Sequence, residues 1–127
     1  MNFPFQSQSG LIILGARLEG PAGGTTLRLA LDTGASRTVI STIMLVAAGY
    51  DVGLSTSRIQ MTTGSGVEYV PVITIDELGV LGQERKQWPI IGHTLPPSAT
   101  IDGLLGLDFF RGKELNIDFR AGFITLN

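Results

Sequence analysis

An apolar strand that ends directly at a carboxylate constrains this sequence more than any other feature. Leucines alternate with smaller or polar residues from Leu27 to Leu31, which is the period-two pattern of a half-buried strand. The strand runs into Asp32, Thr33 and Gly34, where glycine permits a sharp backbone turn that a side chain would resist. We therefore expect the Asp32 carboxyl to be held rigidly at the strand end and largely removed from water.

Two interpretations of Asp32 follow from this position. An Asp at the end of a strand often does no more than hydrogen-bond its own turn. A desolvated carboxylate costs free energy, however, and such placements are concentrated at functional sites. A second segment, Ile101 to Leu107, favours the functional interpretation because of what the two segments share with a known superfamily.

Together the two segments resemble the pepsin-like and retroviral-type aspartic proteases. In that superfamily an apolar strand carries Asp-Thr-Gly-Ala or Asp-Thr-Gly-Ser, and a later apolar-apolar-Gly segment threads beside it before a short helix. The corresponding stretches here are Leu31 to Ala35 and Gly103 to Gly106, with Leu107 to Phe110 leading into the helix. The resemblance runs from about Ile12 to Leu126, and it implies a retroviral-type (retropepsin-like) aspartic endopeptidase.

The fold that this resemblance implies is all-β, a closed barrel-like acid-protease fold with one or two short helices. The composition agrees, since 17 glycines and only 7% aromatic residues favour tight turns between short strands. A length of 127 residues predicts a single domain spanning 1–127.

Apolar periodicity and turn residues predict the order of the elements. Strands are predicted at 11–18, 25–31, 38–41, 58–63, 67–75, 78–81, 87–91, 115–119 and 123–126. A helix is predicted at 42–48, with Ser41 or Thr42 as its N-cap and Gly49 as its stop. Residues 1–9 are expected to be loose, or to form an arm that needs a partner to become ordered.

The chemistry implied by the resemblance needs two carboxyl groups that share one proton. One of them takes a proton from water while the other, protonated, polarises the peptide carbonyl. This chain has one Asp-Thr-Gly, and no other Asp precedes Thr-Gly or Ser-Gly at a strand end. The second acid then has to come from a second copy, which predicts a two-fold homodimer with one Asp32 from each subunit in a shared site.

Three other acids have alternative roles. Asp102 also precedes a glycine in an apolar context and could act as an intramolecular partner of Asp32. In pepsin-like enzymes the matching Asp-Gly-Ile-Leu-Gly pattern carries a structural acid, so the resemblance keeps Asp102 out of the catalytic set. We expect Asp108, at a helix start, and Asp118, in a hairpin, to be solvated or capping.

The residues after Asp32 complete the active-site loop that the resemblance implies. Thr33 would help to lock the two acid loops across the dimer axis, and its alternative is an ordinary turn residue. Gly34 would let its backbone N–H approach the acid. Ala35 matches the retroviral type; pepsin-like enzymes have Ser there, which hydrogen-bonds the acid and favours its ionised form.

A flap is predicted at the hairpin tip formed by Thr62, Thr63, Gly64, Ser65 and Gly66. Such a hairpin closes over substrate and excludes water. The same glycines also suit a plain hairpin turn.

Other classes of function find little support. A net charge of −2 with 16% charged residues gives no basic footprint, so nucleic acid is not an expected partner. The apolar runs are too short or too interrupted to span a bilayer, and no membrane contact is expected of this segment. His93 is the only histidine, and with no Cys the chain has no credible zinc set; no metal or cofactor is expected.

The sequence therefore predicts an aspartic endopeptidase that hydrolyses peptide bonds with water activated between two Asp32 carboxyls. The expected partners are a protein or peptide substrate and a second copy of the chain. The alternative is a non-catalytic domain of the same fold that binds peptides or dimerises. The intact Asp-Thr-Gly-Ala argues against it, since a pure binding module need not retain that sequence.

Overall fold

The structure, a computed structural model, describes residues 1–63 and 66–127. Ten strands are present: β1 (Asn2–Pro4), β2 (Ile13–Gly20), β3 (Gly23–Leu31), β4 (Val39–Ser41), β5 (Arg58–Thr63), β6 (Gly66–Val80), β7 (Gln83–His93), β8 (Gly103–Leu105), β9 (Leu115–Asp118) and β10 (Phe123–Leu126). One α-helix, α1 (Thr42–Ala47), and two 3₁₀ helices, Val52–Leu54 and Leu107–Phe110, complete the fold. The all-β class predicted from the sequence is confirmed.

Six of the strands close into a barrel. Their neighbour order is β2-β3-β8-β4-β7-β6, and residues 77–79 of β6 pair back with residues 17–19 of β2. The pairs β3–β8 and β4–β7 are parallel, whereas the others are antiparallel. β5 lies outside the closed ring as the hairpin partner of β6. The barrel-like architecture is therefore confirmed.

The barrel closes around an apolar core because alternate side chains of each strand point inward. Leu18 of β2 and Leu27 and Leu29 of β3 are fully buried in this core. Phe109, from the second 3₁₀ helix, is also fully buried, and its ring packs edge-to-face on Trp88 of β7. The segment after β8 thus contributes a large side chain to the barrel core.

One long hairpin replaces several shorter strands of the prediction. The sequence predicts strands at 67–75 and 78–81, whereas β6 is continuous from Gly66 to Val80. It pairs with β7 on one side and, at residues 77–79, with β2 on the other. These neighbours hold the polar stretch around Asp76 in an extended conformation that its own sequence does not favour. The turn lies at Leu81 and Gly82, both with positive φ.

The helix α1 forms close to where the sequence places it. Ser41 is its N-cap, and its Oγ accepts a hydrogen bond from the backbone N–H of Met44 at 3.3 Å. The chain leaves the helix at Gly49, whose φ of +97° suits glycine. The helix expected after Gly106 is only the 3₁₀ turn Leu107–Phe110, in which Phe109 and Phe110 are buried. Among the described residues, no helix has the length and apolar character needed to cross a membrane.

The N-terminal segment is paired within its own chain. β1 pairs antiparallel with β10, and β10 pairs with β9, so that both ends of the chain form one three-stranded sheet. Ile124 of β10 is fully buried against the barrel core. The expectation that the first residues are loose or need a partner is therefore wrong for Asn2–Pro4, which pair with the chain's own C-terminal hairpin.

β8 and β4 approach so closely at Gly103 that a methyl group has no room between them. Gly103 pairs with Ile40 of β4. A Cβ at position 103 would overlap the carbonyl oxygen of Val39 and lie 3.1 Å from Cα of Ile40. Backbone atoms of a paired strand cannot move away as a flexible side chain can.

We expect Gly103→Ala to lower the free energy of unfolding by about 2 kcal/mol or more, because the added methyl overpacks two paired strands. Urea unfolding followed by circular dichroism measures this change. Gly15→Ala is the matched control, since an added Cβ at this β2 position meets nothing within 4 Å. The control should unfold at or slightly above the parent midpoint. Equal midpoints for the two variants would contradict the close approach.

Candidate active site

Two neighbouring segments hold the end of β3, where Asp32 lies. β3 pairs in parallel with β8, with Leu31 opposite Leu105. The backbone N–H of Asp32 donates to the carbonyl oxygen of Leu105 at 3.0 Å, and that of Leu31 donates to Ile12 at 2.8 Å. The strand end is therefore fixed on both sides, as the sequence led us to expect.

The turn after β3 wraps around the Asp32 carboxyl. The backbone N–H of Gly34 donates to Oδ1 of Asp32 at 2.9 Å, and that of Ala35 donates to the Asp32 carbonyl oxygen at 3.1 Å. Asp32 is half-buried, while Thr33 and Gly34 are exposed. The carboxyl is thus oriented by its own turn but less desolvated than expected, and the tip of the loop faces outward.

A buried hydrogen-bond network supports this loop from behind. Thr38 is 0% exposed. Its Oγ1 donates to Oδ1 of Asp108 at 2.8 Å and accepts from the backbone N–H of Gly106 at 3.1 Å, while its own backbone N–H donates to Oδ2 of Asp108 at 3.0 Å. The carbonyl oxygen of Ala35 accepts from the N–H of Leu107 at 2.8 Å. The active-site loop is therefore attached to the segment after β8 at several points.

This network corrects the expectation for Asp108, which is half-buried and does not cap the 3₁₀ helix. Its carboxylate accepts two hydrogen bonds from Thr38, across 70 positions of sequence. Thr38 itself was not singled out from the sequence, where it is only the first residue of a β-branched run. Asp118 does cap its turn as predicted, since its Oδ1 accepts from the backbone N–H groups of Arg120 and Ala121 at 2.9 Å each.

Asp102 lies at the opposite end of β8 from the site. Its Oδ2 accepts from the backbone N–H of Arg28 at 2.8 Å, and its carbonyl oxygen accepts from Ser41 at 2.8 Å. Three strand residues, about 10 Å, separate this position from Leu105, which bonds the Asp32 backbone. The two carboxyls of one chain are too far apart to share a proton, and the contacts of Asp102 agree with a structural role.

A cavity of about 540 Å³ lies between the active-site loop and the β5–β6 hairpin. Its lining includes loop residues 34–37, residues 59–62 of β5, and parts of β4, β7 and β8. A small apolar cluster contributes to its wall: Val39, Val70 and Ile91, with Ile59 and Met61 packed against them. The cavity is concave, largely apolar and adjacent to the acid loop, which are common properties of ligand sites.

The hairpin that borders this cavity contains the residues at which the sequence predicts a flap. Thr62 lines the cavity and pairs with Val67, and Thr63 pairs with Gly66. Gly64 and Ser65, the tip of the predicted flap, lie outside the described residues. β5 is the last strand of its sheet, so the hairpin extends beyond the closed barrel.

His93 joins the β5–β6 hairpin to the barrel. Its Nε2 lies 3.2 Å from Oε1 of Glu68, which connects the end of β7 with β6. In the part of the chain that the structure describes, no group of three or more His, Cys, Asp or Glu side chains could hold a metal ion.

Comparisons with known proteins agree with this architecture. A family model described as gag-polyprotein putative aspartyl protease matches residues 18–112, whereas none of the curated proteins matches in sequence. The fold is similar to the crystal structure of a retropepsin-like aspartic protease from Rickettsia conorii, with a TM-score of 0.66 at 20% identity, covering 99% of this chain and 88% of that one.

A second similar structure is the retroviral protease-like domain of Ddi1 from Leishmania major. The TM-score is 0.62 at 15% identity, covering 94% of this chain and 90% of that chain. These likenesses confirm the retropepsin-like fold that the sequence resemblance implied.

We expect Thr38→Val to lower the free energy of unfolding by about 1–3 kcal/mol, because valine keeps the shape but leaves polar groups of Asp108 and Gly106 without a partner. Chemical denaturation measures the loss. Thr26→Val, at an exposed position of β3, is the matched control and should change the stability by less than about 0.5 kcal/mol. Equal stability of the two variants would mean that the buried network contributes nothing.

Proposed function

Because this chain belongs to the family of gag-polyprotein putative aspartyl proteases, we propose that it is a retroviral-type aspartic endopeptidase. The observation that carries the proposal is the loop at the end of β3. There a single carboxyl, Asp32, is oriented by the N–H of Gly34 beside a cavity of about 540 Å³. A pure binding module would not need to retain the intact Asp-Thr-Gly-Ala beside this cavity.

The proposed active species is a two-fold homodimer. One chain supplies one Asp32, and Asp102 is too distant to serve as the second acid, so the partner's loop has to provide it. The exposed tip of the loop, Thr33 and Gly34, is available for this contact. Thr33 would then join the two loops across the axis. Two carboxyls that meet there cannot both ionise and so share one proton.

Hydrolysis then follows from general acid–base chemistry. The ionised Asp32 takes a proton from water while the oxygen of that water attacks the peptide carbonyl carbon. The protonated Asp32 of the other subunit donates its proton to the carbonyl oxygen, giving a tetrahedral intermediate. As the intermediate collapses and the carbon–nitrogen bond breaks, the Asp32 that took the water proton gives it to the leaving amine. The other Asp32 takes a proton from a hydroxyl of the intermediate, which leaves a carboxylic acid product and restores the shared proton. The Gly34 N–H stabilises the ionised carboxylate by a charge-assisted hydrogen bond.

The cavity and the flap would hold the substrate for this reaction. An extended peptide would lie between the acid loop and β5, with an apolar side chain against the cluster that contains Val39 and Ile91. The predicted flap, residues 62–66, would close over the peptide and exclude water other than the attacking molecule. The proton transfers between Asp32 and the substrate require one attacking water molecule and the exclusion of other water.

The second candidate function is a non-catalytic peptide-binding or dimerisation domain of the same fold. The observation that favours it is that the Asp32 carboxyl is held by its own turn, which is also the usual arrangement of a strand-end Asp with no catalytic role. Digestion of casein that a statine-type transition-state mimic abolishes would support the enzyme. Peptide binding without any digestion, at concentrations where the dimer is present, would support the alternative.

We expect Asp32→Asn to abolish peptidase activity while the fold is kept, because asparagine is isosteric but cannot act as a base. Loss of general acid–base catalysis costs about 10²–10⁴-fold or more. Hydrolysis of casein measures the activity, and circular dichroism verifies the fold. Asp118→Asn is the matched control, since its Oδ1 can still accept the turn hydrogen bonds and activity should persist. Full activity of a folded Asp32→Asn protein would disprove catalysis by this acid.

We also expect the rate per chain to fall towards zero on dilution, because a monomer has one carboxyl and no means of sharing a proton. The rate should fall below the dimer dissociation constant, which sedimentation measures on the same samples. Mixing the parent chain with excess Asp32→Asn should suppress activity further by forming heterodimers with one acid. A rate per chain that stays flat where only monomer sediments would rule out the shared site and make Asp102 the candidate second acid.

A further inference from the structure

Among the described residues that line the cavity beside the acid loop, only Arg37 carries a permanent charge. His93 is the other basic side chain among these lining residues, which include no Asp or Glu. His93 lies 3.2 Å from Glu68, so any positive charge it acquires is offset by that carboxylate. Arg37 is therefore the main source of positive potential in the lining.

Arg37 lines the cavity from the bend that leads into β4. Thr38, the next residue, contacts Asp108 in the interior, and Ile40 belongs to the barrel core. Val39 belongs to the apolar cluster of the cavity, and it lines the same cavity as Arg37.

The guanidinium of Arg37 has no hydrogen-bonding or charged partner among the described residues. Of the seven arginines, Arg37 and Arg85 are half-buried. Arg85 donates to the carbonyl oxygen of Phe109 at 2.9 Å and stacks over its ring. Within residues 1–63 and 66–127, no carboxylate lies within 4 Å of Arg37, and its side chain makes no hydrogen bond. A partly desolvated guanidinium whose donors have no partner among the described residues favours binding of a carboxylate.

We propose that Arg37 is a specificity-determining residue that selects peptides with an Asp or Glu side chain near the scissile bond. The inference rests on the proposed endopeptidase function and names the substrate class that its cavity prefers. A carboxylate that enters the cavity meets the planar guanidinium, which can bind both of its oxygens at once. The apolar wall around Val39 excludes water and strengthens this pair relative to one on the surface.

The test compares cleavage of a proteome-derived peptide library by the parent chain and by variants of Arg37. The parent should cleave sites enriched in Asp and Glu at one fixed position relative to the scissile bond. For a matched pair of peptides with Glu or Gln there, kcat/KM should differ by about 10-fold, and by less as salt is raised. Arg37→Gln should abolish this ratio, and Arg37→Glu should shift the preference to Lys and Arg. Arg37→Lys should keep a reduced preference.

The matched control is Arg111→Gln, which removes the same charge from an exposed position outside the cavity lining and should keep the parent preference. Cleavage with no acidic enrichment, or with the same enrichment in folded Arg37→Gln, would overturn the inference and leave the endopeptidase intact. Arg37 variants that only shift the dimer dissociation constant would overturn it as well, since Arg37 would then act at the subunit contact.

A library that the folded parent dimer does not cleave would instead contradict the proposed function. The inference is then decided by capture of the same library on immobilised Asp32→Asn chain. Captured peptides rich in Asp and Glu, with the enrichment lost when Arg37→Gln is added, would support charge selection at the level of binding. Captured peptides without that enrichment would overturn it.

Discussion

The hydrogen bonds of Thr38 with Asp108 and Gly106 are the constraint on which the rest of the site depends. They connect positions that are about 70 residues apart in the chain. Closing so long a loop costs conformational entropy, and the buried, charge-assisted bonds help to offset it. Because residues 32–37 lie between β3 and Thr38, both ends of the acid loop are fixed once these bonds form. The carboxyl is therefore placed by the barrel and not by the loop alone.

The sequence predicted the features that depend on neighbouring residues. The alternating leucines before Asp32, the Gly34 contact with its carboxyl, and the Ser41 cap of α1 each involve residues only a few positions apart. It did not predict the role of Thr38, because a threonine that bonds a distant carboxylate and one that only favours a strand look the same in the local sequence. It also missed the pairing of Asn2–Pro4, whose partner strand lies at the other end of the chain.

The electrostatic character of the cavity could not be inferred from composition for a related reason. The net charge of −2 describes the whole chain, whereas the field in a cleft depends on the few charges that line it. Asp102 and Asp108 flank the cavity residue Leu104 in the sequence, but their carboxylates accept hydrogen bonds from Arg28 and Thr38. Neither acid lines the cavity, so its lining keeps a basic character beside the acid loop.

The three-stranded sheet formed by both ends of the chain bears on how this polypeptide can be rearranged. Asn2 pairs with Thr125, so these two residues lie about one strand spacing, ~5 Å, apart. For the segment 1–127, a turn of a few residues could join Asn127 to Met1, and new ends could be opened at the exposed Pro21 and Ala22 turn. The barrel is therefore suited to circular permutation, and equally to insertion as a module into a surface loop of another protein.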